Sequence, residues 1–245
     1  MGSLTDGKRP NVRAVTFDFG QTLAELDHDF LQRRAHGFGA ELDPVAAHAA
    51  TVGAWRAYGD AKALGHARAW QAMMLEILRG GGVRKIRADV ADPEYAEKIA
   101  QLLWDAQPTH NLWRKPIPGM FELAAELRAR KVPVGIISNS EGFLAELVEE
   151  LGHRALFDVI IDSGKVGVDK PDVRIFQLAA EALGVGVEQI VHVGDAWEAD
   201  VLGARAAGAQ AIWYAPIDAR ALPDGVVACR NADELRAALR TFGVG

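Results

Sequence analysis

Four polar signals stand out because they fall where apolar runs end or helices begin. The stretch "VTFDFGQTLAEL" (15–26) carries Asp18 out of an apolar run into a tight small-residue turn, followed by Thr22. "VPVGII" is followed by Ser138 and Asn139, and "IVHVG" by Asp195, with Asp200 five residues on. Lys170 sits in "KVGVDKPD", just before a segment of helical spacing. Any one of these would suit a plain structural role, as a turn cap or a solvated loop lysine. As a set on separate strand ends they converge, because ligands of open α/β sheets lie at the carboxyl ends of the strands.

The chemistry of such a set is coherent. An aspartate can attack phosphorus and form an aspartyl phosphate, splitting one hard displacement into two easier ones. Carboxylate and phosphate repel, so a cation is required. Mg²⁺ suits the task because it takes oxygen ligands, keeps several waters and needs one or two carboxylates. Asp18 and Asp195 would serve as those ligands, with the backbone carbonyl at Gly20 as a third. Asp200 would orient a metal-bound water or pair with Lys170. Ser138 and the backbone N–H groups that follow it, from Asn139 on, would hold phosphoryl oxygens, with Lys170 offsetting their charge.

The elements that must position these residues follow from the apolar pattern. Helical spacing predicts helices over 121–131, 141–152, 171–184, 199–208 and 231–242. Gly152 is placed to stop the second; Pro171 suits the first position of the third, with Asp172 at its positive end. Short β-branched runs predict strands over 132–138, 155–162, 190–195 and 209–215. Such alternation specifies a parallel sheet covered by helices on both faces, an α/β fold.

Between Asp27 and Pro116 the pattern changes. Helix-period pieces at 44–58, 66–79 and 92–106 are separated by breaks such as "RGGGVRK" (79–85), and no strand is expected. Trp55, Trp70, Trp104 and Trp113 fall in this block and read as the core of a small helical bundle. The expected organisation is a core of 1–26 and 115–245, with a helical domain, 27–114, inserted after the first strand. Hinges are expected near 24–29 and 108–118.

The 245 residues suffice for a sizeable core. A net charge of −6 argues against nucleic acid or an anionic membrane as partner. The single cysteine, Cys229, excludes an internal disulfide framework and suits a reducing compartment. No apolar run is long enough to cross a bilayer, so a cytoplasmic protein is expected. Its partner would be a small-molecule substrate, and either a monomer or a homodimer fits.

In order along the chain, these segments resemble the four motifs of the haloacid dehalogenase-like hydrolase superfamily. "FDFGQTL" is similar to the first, DxDxT, and "IISNS" to the second, an apolar strand ending in Ser or Thr. "VGVDKPDVRIF" resembles the third, built around a lysine, and "HVGDAWEADVLGARAAG" the fourth, GDxxxxD with a glycine–alanine helix. The resemblance covers roughly 12–26 and 115–240. It implies a Rossmann-like three-layer core and, for the helical insert, a cap of the C1 type that closes over the site and selects the substrate. It also implies Asp18 as nucleophile, Ser138 as phosphate-binding hydroxyl, Lys170 as charge stabiliser, Asp195 and Asp200 at the metal site, and Thr22 as support for the first loop and part of the phosphate-binding set.

One position departs from that pattern. Phosphatases of the family carry a second Asp two residues after the nucleophile, which protonates the leaving alcohol and deprotonates the attacking water. Here the residue is Gly20. Its carbonyl survives as a ligand; general acid–base help, typically about 10²–10⁴ in rate, does not. Stable leaving groups feel that loss least. Dehalogenases of the family lack the second Asp, but also lack the paired acids that this chain retains. Phosphonate hydrolases of the phosphonoacetaldehyde type carry Ala there and use a cap lysine, for which Lys62, Lys85 or Lys98 would stand. Substitutes for the missing acid are Glu25, Asp27, His28 and Asp29, with Gln21 to position a water. The expectation is a Mg²⁺-dependent hydrolase acting through Asp18 on a small phosphorylated metabolite, with weak or substrate-restricted activity. A non-catalytic binding protein is the remaining alternative.

Overall fold

The computed structural model describes residues 11–61, 64–88, 90, 92–214, 222–223 and 225–244. The chain divides into two compact units, one comprising Met1–Glu25 and Trp113–Gly245, the other Leu26–Leu112.

The larger unit is built on a six-stranded sheet of order β10-β9-β8-β1-β6-β7, parallel throughout. Its strands are β1 (Ala14–Phe17), β6 (Val134–Ser138), β7 (Val159–Asp162), β8 (Ile190–Gly194), β9 (Gln210–Tyr214) and β10 (Val227–Cys229). Central strands β1, β6 and β8 are buried along their whole length, as continuous apolar runs between two helical layers must be. The covering helices are α5 (Met120–Ala129), α6 (Leu144–Glu150), α7 (Ser163–Val166), α8 (Val173–Leu183), α9 (Gly203–Ala207) and α10 (Ala232–Thr241). Ile175, Phe176 and Ala179 of α8 pack with Ile137, Ile190, Ala211 and Trp213 of the sheet in one buried cluster.

The smaller unit holds α1 (His28–Gly37), α2 (Pro44–Ala61), α3 (His66–Gly80) and α4 (Pro93–Ala106). Trp70, Met73, Met74, Ile77 and Leu78 of α3, with Ile99 and Leu103 of α4, form a core of its own. Trp70 and Trp104 lie with ring centroids 5.3 Å apart, and Trp55 packs edge-on to Tyr58. Trp113 differs from the expectation that it belongs to this bundle, because it falls in the larger unit.

Four further differences have local causes. Two-residue strands β3 (Ala40–Glu41) and β4 (Arg84–Lys85) pair antiparallel inside the smaller unit, too short to show a period in the sequence. Strands β2 (Ala24–Leu26) and β5 (Trp113–Pro116) pair where the chain leaves and re-enters the larger unit. The first turns of the segment expected as helix 199–208 are wound as a π-type turn, Trp197–Leu202, before α9. Pro171 also stands outside α8: Asp172 is the N-cap, accepting from the Arg174 N–H at 2.9 Å.

Candidate active site

Asp18 follows β1, Asp195 follows β8, and Ser138 is the last residue of β6, so all three lie at carboxyl ends of adjacent strands. Asp18 is held there by its own N–H, which donates to the Val193 carbonyl at 2.8 Å. Beyond it the chain turns tightly: the Phe19 carbonyl accepts from the N–H groups of Thr22, Leu23 and Ala24. Gln21 takes a left-handed conformation, φ 58°, to make that turn. The Gly20 carbonyl accepts none of these turn bonds.

Lys170 reaches this point from the loop before α8 and is 4% exposed. Its ammonium donates to Asp18 Oδ1 at 2.6 Å, Asp200 Oδ1 at 2.6 Å and the Ile137 carbonyl at 2.7 Å, so all three N–H donors are used. Burial alone would depress its pKa; the Asp18 and Asp200 carboxylates overcome that and raise it. Burial would likewise raise Asp200, but Lys170 and His192 hold it below the usual carboxylate range. Burial raises Asp18 despite Lys170. Asp200 is fixed further by the Ala196 N–H at 2.8 Å.

His192, on β8, lies opposite Thr16 of β1 in the sheet register and is fully enclosed. Its Nε2 is 3.2 Å from Asp200 Oδ1, and its Nδ1 is 2.9 Å from Thr16 Oγ1. A carboxylate accepts only, so Nε2 carries the proton and Nδ1 accepts from the threonine hydroxyl. Burial pushes the imidazole pKa down, which keeps that neutral tautomer. A continuous hydrogen-bonded chain thus runs Thr16–His192–Asp200–Lys170–Asp18. Neither Thr16 nor His192 was expected from the sequence, although a polar residue inside an otherwise apolar strand is the available signal.

The loop after β6 is tied from its neighbour β7. Asp162 accepts from the N–H groups of Gly142 (3.0 Å), Leu144 (2.9 Å) and Gly164 (3.0 Å). It thereby reaches across to serve the first turn of α6, whose own N-cap, Phe143, supplies no side-chain bond. Ser163 Oγ accepts from the Ser140 N–H at 3.1 Å. Asn139, whose backbone N–H is the part expected at a phosphate, uses its side chain on Lys170: its Oδ1 accepts from the Lys170 N–H (2.8 Å) and its Nδ2 donates to the Lys170 carbonyl (3.0 Å). It clamps the lysine by its main chain. Ser138 is buried at the strand end. Thr22 is wholly buried, and its hydroxyl finds no hydrogen-bond partner among the described residues. It contributes packing and its backbone N–H to the loop.

Asp18, Asp195 and Asp200 each present a carboxylate oxygen, all within 4.8 Å of one another. One ammonium faces three carboxylates. Burial, then the Asp18 and Asp200 charges, push Asp195 well above its usual range. Crowded oxygen donors short of positive charge fit a hard divalent cation. Of the cap lysines considered from the sequence, Lys62 lies outside the described residues. Lys85 and Lys98 both stand over the Tyr95 ring, at 5.4 and 5.9 Å.

The haloacid dehalogenase-like hydrolase family model matches residues 12–208. The phosphoserine phosphatase of Thermus thermophilus is 34% identical over 137 residues, covering 54% of this chain and 53% of that protein, so the match spans about half of that relative's length. Haloacid dehalogenase-like hydrolase domain-containing protein 3 of Bos taurus is 28% identical over 212 residues, 82% of this chain and 80% of the relative. Among solved structures, the Bacillus subtilis HAD hydrolase YfnB bound to magnesium superposes with a TM-score of 0.66 at 20% identity, over 94% of this chain and 99% of that one. That last likeness is one of fold. With the family model spanning the first strand through α9, the chain belongs to the haloacid dehalogenase-like hydrolases.

Proposed function

We propose that this hydrolase is a Mg²⁺-dependent phosphatase acting on a small phosphorylated metabolite, with Asp18 as the nucleophile. The observation that carries this reading is the buried meeting of Asp18 with Lys170, Asp195 and Asp200 at the strand ends. When bound by Asp18, Asp195 and the Gly20 carbonyl, Mg²⁺ would neutralise phosphate charge next to the attacking carboxylate. Asp200 keeps Lys170 in place, and Lys170 steadies Asp18 and screens an arriving phosphoryl group. Ser138 would bind a phosphoryl oxygen. An Asp18 oxygen then attacks phosphorus, the leaving group departs, and water later frees the carboxylate. The smaller unit is proposed as the cap of the C1 type, the part that would select the substrate. Relatives named as phosphatases, such as the Thermus protein, agree with this reading.

The test is phosphate release from a panel of phosphate esters and acyl phosphates, with and without Mg²⁺. Asp18→Asn should reduce metal-dependent release to background. An unchanged rate in that variant, or halide release from haloacids without metal, would overturn the proposal.

A further inference from the structure

Gly20 stands where a general acid–base residue would be, and its surroundings bear on what the site can do. A Cβ built on Gly20 meets the indole edge of Trp113, 3.4 Å from Cδ1 and 3.7 Å from Nε1. That is ordinary contact, so a Cβ would fit. The neighbour, however, is an indole, which donates a hydrogen bond but exchanges no proton at neutral pH.

Of the polar residues that follow, Glu25, Asp27 and His28 are engaged elsewhere. Glu25 Oε1 pairs with Lys115 Nζ at 2.7 Å. Asp27 caps α1, accepting from the Phe30 N–H at 2.8 Å, and Asp29 sits in that helix's first turn, at the positive end of its dipole. His28 Nε2 lies 3.2 Å from Thr51 Oγ1, and its ring packs edge-on to His48. Gln21 is an amide, able to orient a water but not to take its proton. Within the cluster, Lys170 uses every N–H on Asp18, Asp200 and Ile137.

Building on the phosphatase reading above, we propose that the substrates are acyl phosphates and that the phosphoryl group accumulates on Asp18. In the first step an Asp18 oxygen bonds to phosphorus while the phosphorus–oxygen bond to the acyl group breaks. The electron pair leaves on a carboxylate, and no proton moves. In the second step a water oxygen bonds to phosphorus, the Asp18–phosphorus bond breaks, and Asp18 returns as a carboxylate. The water's protons end on the released phosphate or pass to solvent. This second step calls for a base, and position 20 supplies none. The first step keeps its rate while the second loses the help of about 10²–10⁴ that a base gives.

Rapid-quench mixing of the protein and Mg²⁺ with acetyl phosphate reads both steps. Wild type should release a burst of acetate approaching one per chain. Intact mass should show a matching phosphoryl adduct, absent in Asp18→Asn, followed by slow phosphate release. Gly20→Asp should erase the burst and raise steady phosphate release by about 100-fold. It should also raise turnover of glycerol phosphate, a poor-leaving-group ester that wild type barely cleaves. Equal rates of acetate and phosphate release with no adduct in wild type would overturn this proposal, leaving the phosphatase reading intact if Asp18→Asn is dead. No release and no adduct with either compound would overturn both. The wild-type burst stands as a test by itself should Gly20→Asp fold poorly.

Discussion

Asn139 and Lys170 show how much of the site is main-chain engineering. A lysine ammonium can face two carboxylates only if its own backbone is held, and Asn139 does this with both halves of its amide. Asn139→Ala should lower kcat about tenfold, the worth of one to two hydrogen bonds, with KM nearly unchanged. Asn139→Asp, which keeps the acceptor for the Lys170 N–H, should recover part of that loss. Lys170→Met should do more, because it leaves Asp18 and Asp200 buried without a counter-charge; urea unfolding should show a loss of about 3–5 kcal/mol. Cys229 stands at the other extreme. Burial, with Glu234 nearby, pushes its thiol up to about 12, so native protein at pH 8 should resist a disulfide reagent that titrates it at once after unfolding. At this scale Asp18 and Asp195 were legible because each ends an apolar run, and Lys170 because it stands just before a segment of helical spacing. Thr16 and His192 were not, because an apolar run does not say which of its polar members face each other across two strands.

Elements set the tolerances within which those residues work. Gly194 ends β8 where the π-type turn folds back, and a Cβ there would collide with the Asp200 carboxylate. Gly194→Ala should therefore cost about 1–3 kcal/mol in thermal or urea unfolding and displace Asp200 from Lys170. Gly164 has the same character, since a Cβ would meet the Gly142 N at 2.5 Å and the Ser140 carbonyl at 2.7 Å. The strand–helix alternation of 120–241 was legible from its two periods. The two-residue strands β3 and β4 and the short helix α1 were not: the strands are too brief for a pattern, and α1 is rich in polar residues with Leu31 and Ala35 as its buried positions. The role of Asp162 was hidden for another reason. It reads as an ordinary strand end, and its work on the β6–α6 loop depends on β6 and β7 being neighbours.

On the scale of the whole molecule, each unit carries its own core. Trp70 is 1% exposed at the centre of the smaller one. Trp70→Ala should cost about 3–5 kcal/mol there. Hydrogen exchange should speed up across α3 and α4 while β1, β6 and β8 keep their protection. Equal loss in both would show a single cooperative unit instead. The change from strand–helix alternation to a mainly helical segment was visible in the sequence, since composition and period both shift. The reassignment of Trp113 was not, because a tryptophan's hydrophobicity does not say which core it joins.

The pairing of Thr16 with His192 has a spectroscopic consequence. An imidazole N–H buried against a carboxylate exchanges slowly with solvent, so His192 Nε2–H should give a resolved downfield proton resonance in water. The proton sits one hydrogen bond from Asp200 and two from Lys170. On the proposed mechanism its chemical shift should move when Asp18 carries the phosphoryl group, and in nitrogen-labelled protein its two-bond couplings should report the Nε2–H tautomer. The protein would thus carry its own proton reporter of the site, needing no substitution.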